Sequence, residues 1–295
     1  MDWTPGGVSS DVEDRRGESG GGGGGGFGFG GGGLGIVGVL VLLAISLLTG
    51  RNFIGAYLSG GGGGAAPVQT QQARQTGPAG APGPGADRDA QLVSFVLDDV
   101  QKTWTQIFEQ EGRQYRHAKL VLYNGATYSG CGTAQAQTGP FYCPQDEKVY
   151  IDLGFWNELK RIGGDTGDFA QAYVIAHELG HHVQKLLGTE AKVRQLQQRD
   201  PSERNPLSVD LELQADCYAG VWAHSTEQRG IVHENDVDGA LSAAAAVGDD
   251  HLQRMSGRAV SPESFTHGTS AQRQDWFKRG MQAGDPGACN TFQGR

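Results

Sequence analysis

Apolar residues at Leu92, Val93, Val96, Val100, Trp104 and Phe108 recur at helical spacing and predict an amphipathic helix over 89–110. Two short runs, Lys119–Tyr123 and 148–153, carry the β-branched and aromatic side chains of strands. Residues 168–187 follow without an interrupting proline, and Gly188 stands where a helix would end. Further helices are expected over 208–229, 236–254 and 270–281. The pattern predicts a helix-dominated α+β domain with a small sheet.

Upstream of that domain the pattern changes. Residues 20–33 are glycine broken only by Phe27 and Phe29, and 34–48 is a dense apolar run without a polar face. As helix that run would reach about 22 Å, short of a bilayer core of about 30 Å, unless it borrows neighbours as far as Ile54. A cleaved signal peptide would want a basic start and a small-residue cleavage site, whereas this N-terminus is rich in Asp and Glu. The reading is therefore a disordered Gly-rich tail over 1–33, a single uncleaved transmembrane helix over 34–54, a flexible Gly/Pro/Gln linker over 55–86, and a folded domain over 87–295. A net charge of −9 without a basic run argues against a nucleic-acid partner.

The candidate chemistry lies in His177-Glu178-Leu179-Gly180-His181. Residues four apart share a helix face, so His177 and His181 can aim both imidazoles at one ion, and Glu178 can serve a zinc-activated water as general base. A catalytic zinc needs a third protein ligand. Metzincin spacing would put glycine at 184 and histidine at 187; Gln184 and Leu187 exclude it. A glutamate from a following helix is the other common solution, and Glu212 with Asp216 four places later supplies it. Glu212 would complete the site, and Asp216 would fix the tautomer of a ligand histidine. Asp216, His224 and His233 are the substitutes for the third ligand. His182 lies off the ligand face and reads as a bystander.

With these motifs, the blocks Phe141-Tyr142-Cys143-Pro144, Val149-Tyr150-Ile151-Asp152-Leu153 and Thr266-His267-Gly268, together with the opening Asp11-Val12-Glu13-Asp14-Arg15-Arg16, make the chain resemble the bacterial putative neutral zinc metallopeptidase family. The resemblance implies a membrane-anchored, zincin-like fold of gluzincin type binding one Zn2+ per chain. In zinc peptidases of that architecture a strand edge beside the motif helix pairs with the substrate backbone. Val149, Tyr150 and Ile151 are the expected edge. The segment from Thr266 to Arg273 is also similar to the Thr-His-Pro-x4-Arg segment of integral-membrane gluzincins, with Gly268 in place of the proline. That similarity and the need for a donor to the oxyanion suggest His267; the plainer alternative is a loop histidine ahead of a helix capped by Ser270.

Four cysteines form an even set. Cys131 and Cys143 bracket a short Gly-rich loop that a disulfide could staple, leaving Cys217 and Cys289 as a second pair. Such pairing favours an oxidising compartment, with the N-terminus cytosolic and the domain on the extracytoplasmic side of the cell membrane. The functional expectation is a membrane-anchored zinc endopeptidase acting on peptide or protein. Its rivals are a non-catalytic, zinc-stabilised membrane protein that binds a partner or scaffolds a membrane complex, and an amidase acting on cell-wall peptide.

Overall fold

A computed structural model describes residues 1–18, 84–135 and 138–293. The chain runs β1 (Val12–Asp14), α1 (Pro84–Gln110), β2 (Lys119–Tyr123), the hairpin β3 (Ala126–Ser129) and β4 (Gly132–Gln135), β5 (Phe141–Cys143), and β6 (Lys148–Asp152). Seven helices follow among the described residues: α2 (Phe155–Arg161), α3 (Asp168–Leu187), α4 (Thr189–Arg199), α5 (Arg204–Gln228), α6 (Glu234–Ala246), α7 (Asp249–Met255) and α8 (Ser270–Ala283). The fold is α+β and dominated by helix, as the periodicity predicts.

The main sheet has the order β1-β2-β6-β5, parallel except for the antiparallel β5–β6 pair. Alternation along β2 and β6 sorts their side chains onto two covered faces. Leu120, Leu122, Val149 and Ile151 join the helical core, where Val93, Val96, Ile175, Leu179 and Trp222 are buried. Val121, Tyr123 and Tyr150 turn the other way, onto Ala134 of the hairpin and Cys143. Each large apolar side chain buried in this way stabilises the fold by roughly 1.5–3 kcal/mol. Edge-on aromatic packing of Trp104 against Tyr218, with centroids 5.1 Å apart, ties α1 to α5.

Three expectations need correction. The first is the edge strand: β6, with Val149, Tyr150 and Ile151, lies between β2 and β5, so the strand at that end of the sheet is β5. Burial on both faces and pairing on both sides are what make β6 so apolar. The second is the helix over 236–254, which breaks into α6 and α7. Gly248 is extended there, with φ −67° and ψ 139°.

The third is the N-terminus. The expected disordered tail over 1–33 does not hold for residues 1–18. Val12, Glu13 and Asp14 pair in parallel with Leu120, Val121 and Leu122. Asp11 accepts from Lys119 Nζ at 2.7 Å and Gln101 Nε2 at 3.0 Å, while Lys148 Nζ donates to Glu13 at 2.7 Å. The Met1 ammonium reaches Asp236 at 2.5 Å, and Trp3 Nε1 donates to Asp168, the first residue of α3, at 2.8 Å. A three-residue strand is too short to announce itself by alternation. Its acidic side chains are held by cations, Glu13 by Lys148 two strands away and by Arg15, and Asp14 by Arg16. Residues 1–18 and 84–293 thus share one sheet, whereas a single membrane crossing between them would put them on opposite sides. The expected anchor at 34–54 lies outside the described residues, as does nearly all of the 55–86 linker. Among the described residues no helix is long and apolar enough to cross a membrane.

Candidate metal centre

Helix α3 covers the expected 168–187 and ends at Gly188, whose φ of 80° is the left-handed conformation of a helix C-terminus. His177 and Glu178 are buried on it, and His181 is partly so. Helix α5 approaches closely at Gly180: a Cβ there would lie 3.0 Å from the Ala215 carbonyl oxygen and 3.1 Å from its Cα. The absent side chain lets two backbones come together and brings Glu212 and Asp216, on either side of Ala215, to the histidines.

One ligand atom each from His177, His181 and Glu212 lies within 4.8 Å of the other two. Glu212 Oε2 is 3.2 Å from His177 Nε2, and Oε1 is 3.5 Å from His181 Nε2. The imidazole rings stand nearly perpendicular, with centroids 4.9 Å apart. His177 Nδ1 is 2.8 Å from Asp216 Oδ1, and His181 Nδ1 is 2.9 Å from Gln184 Oε1. With each Nδ1–H donated outward, both Nε2 lone pairs face the point that Glu212 also faces.

A sequence model for the putative neutral zinc metallopeptidase family matches residues 1–292. The chain belongs to that family. It is 50% identical over 293 residues to the uncharacterized protein YpfJ of Escherichia coli (strain K12), covering 99% of each chain. It is 44% identical over 189 residues to the uncharacterized protein Rv2575 of Mycobacterium tuberculosis, covering 60% of this chain and 63% of that one. No solved structure matches.

The buried charges of this family member fit a dication. Glu178, Glu212 and Asp216 put three carboxylates into the cluster, against the single guanidinium of Arg273. With neutral histidines the deficit is two positive charges, which a divalent ion would supply. Without one, protons make up part of it. Burial opposes charge on His177, but Asp216 and Glu212 overcome it and lift the imidazole to about 10. Burial raises Glu178, while His177 and His181 act against the rise. Glu212 resists burial and is held well below the usual carboxylate range by both histidines.

Asp216 has no exposure and does what the motif spacing suggests, within a larger network. Arg273 donates to it from Nε at 2.8 Å and Nη2 at 2.9 Å, and the Tyr173 hydroxyl donates at 2.6 Å. Gln184 is the residue sequence reasoning missed, having been read only as an argument against metzincin spacing. Its Nε2 donates to the Leu211 carbonyl at 2.7 Å and to Gln214 at 3.2 Å, which leaves Oε1 turned toward His181. The available signal was its position three residues after a ligand, on the same helix face.

His267 lies outside the three-ligand group but close enough to Glu212 to feel its charge. Its ring is held by Asp249, with Nδ1 3.2 Å from Oδ1. The backbone N–H groups of Thr266, His267 and Gly268 converge on Asp249 Oδ2 at 2.7, 2.6 and 3.0 Å. The break before α7 is what puts Asp249 there. Gly268 has φ 86°, which proline cannot adopt, so the departure from the Thr-His-Pro pattern comes with a different turn. The cap of α8 is Thr269, reciprocated by Gln272, rather than Ser270.

The other candidates are engaged elsewhere. His224 Nδ1 meets the Met281 carbonyl at 2.7 Å, and His233 caps α6. The cysteines pair as expected, Cys131 with Cys143 and Cys217 with Cys289, so Cys217 is no ligand.

Proposed function

We propose that the protein is a zinc-dependent endopeptidase. The observation that carries this reading is the convergence of His177, His181 and Glu212 on one point, with Glu178 buried beside the first ligand. Zinc bound there would acidify a water and polarise the scissile carbonyl. Glu178 takes the proton of the attacking water and passes it to the leaving amine. Asp216 and Gln184 keep the two imidazoles in the tautomer that leaves Nε2 bare. His267, oriented by Asp249, is the donor for the carbonyl oxygen as negative charge develops on it.

The peptide itself adds to the sheet at β5, whose outer edge pairs with no other strand among the described residues. Strand addition supplies affinity through the backbone and leaves sequence preference to a few side-chain pockets. Two disulfides support an oxidising, extracytoplasmic compartment.

The test is cleavage of a diverse peptide library by the zinc-loaded full chain, beside its Glu178→Gln variant. Wild type should cleave, while the variant should keep its zinc and turn over at least about 100-fold more slowly. A variant that is zinc-loaded and fully active would overturn the assignment of the base. Silence from a zinc-loaded wild type would instead favour the scaffold or cell-wall amidase readings.

A further inference from the structure

His182 follows the ligand His181 and is fully buried, yet it faces away from the metal cluster. Its Nε2 lies 2.6 Å from the Arg116 carbonyl oxygen, and its Nδ1 lies 2.9 Å from the Tyr142 hydroxyl. A carbonyl can only accept, so Nε2 carries the proton and Nδ1 receives the O–H of Tyr142. Tyr115 closes the arrangement, its ring edge-on to the imidazole at 5.5 Å.

Tyr142 is the middle residue of β5, and each residue of that strand is fastened differently. The Phe141 ring stacks on Tyr150, with centroids 5.0 Å apart and planes 8° from parallel. Cys143 is bound to Cys131. Both belong to the cluster on the hairpin face of the sheet. Only Tyr142 sends a side-chain hydrogen bond from β5 to α3, and it lands one residue from a candidate metal ligand.

We propose that the Tyr142–His182 hydrogen bond sets the spacing between the substrate-binding edge strand and the ligand-bearing turn of α3, making both positioning residues. The inference rests on the peptidase reading for its substrate but not for the bond itself. A peptide paired with β5 is placed over the metal only as accurately as β5 is placed over α3. Movement of the strand would weaken the binding of an extended peptide without touching the groups that perform the hydrolysis. The tie also satisfies both ring nitrogens of a fully buried histidine, which would otherwise be costly.

The experiment uses the full chain with zinc and its Tyr142→Phe variant, which removes one oxygen and keeps the ring. Amide exchange over β5 is followed alongside kinetics on one extended peptide and one too short to reach β5. The variant should exchange several-fold faster at 141–143, with zinc content unchanged. KM for the extended peptide should rise about fivefold, the size of one hydrogen bond's net contribution. Its kcat, and both constants for the short peptide, should stay within twofold. Unchanged exchange would overturn the tie, whatever the kinetics. Faster exchange with unchanged KM would overturn its role in substrate placement. A wild type that cleaves neither peptide would defeat the peptidase reading and this role with it, while the exchange result would still decide the tie.

Discussion

Gln184 holds His181 through a single amide oxygen, whereas His177 has a carboxylate braced by an arginine and a tyrosine. Both arrangements fix a tautomer, and both follow from spacing: Gln184 stands three residues from His181 on one helix, while Asp216 stands four from Glu212 on the next. Replacing Gln184 by alanine should lower zinc affinity by about 10–100-fold, as losses of such outer partners generally do; competition with a fluorescent chelator would read it. An unaltered affinity would mean that the helix alone orients His181. The pH dependence follows from His177. In the metal-free protein its pKa stands at about 10 against an ordinary 6.5. A raised histidine stabilises the metal-free fold fully below pH 6.5, and that contribution is lost as pH climbs through about 10. Zinc needs the same Nε2 without its proton, so zinc affinity should rise across this window and binding at pH 7 should release a proton. Titration calorimetry in buffers of different ionisation enthalpy measures that release; zero release would contradict the protonated His177.

The contact of α3 with α5 decides whether the ligands meet. Gly180 sits inside the motif, yet its role concerns two helices: a methyl group there would lie 3.0 Å from the Ala215 carbonyl, so the two backbones would have to give way to admit it. Gly180→Ala should cost about 1–3 kcal/mol of stability by overpacking. It should also weaken zinc binding, because α5 must shift and it carries Glu212. Thermal unfolding with and without zinc separates the two effects, and a variant as stable and as zinc-avid as wild type would disprove the close crossing. At this scale α3 was legible to the residue from proline-free length and a terminal glycine. Helix 236–254 was not, because its break depends on where Asp249 finds the amides of residues 266–268. The strand 148–153 was recognised correctly as a strand and wrongly as an edge. Composition reports burial, and a buried interior strand reads the same whichever neighbours it has.

For the whole molecule the decisive feature is the N-terminal strand. Val12–Asp14 lies beside β2, so residues 1–18 and the domain with the candidate metal site should be found in one compartment. Val8 and Tyr128 are exposed on these two segments, at 59% and 80%. Cysteines placed there singly should both react with a membrane-impermeant maleimide in intact cells, or both be protected. Labelling of one alone would restore a single crossing between them and show that β1 is not paired in the cell.

Legible in the sequence by itself were the candidate ligands His177, His181 and Glu212, the candidate base Glu178, the helix that carries the motif, an even set of cysteines and the family resemblance. These are local or covalent matters, governed by helical periodicity and by what each side chain can coordinate. The tertiary structure alone decided that β5 is the edge, that Arg273 and Asp249 support the site, and that the first residues are part of the sheet. Each depends on which distant segments become neighbours, and a hydrogen bond between residues far apart in the chain leaves no periodic trace in it.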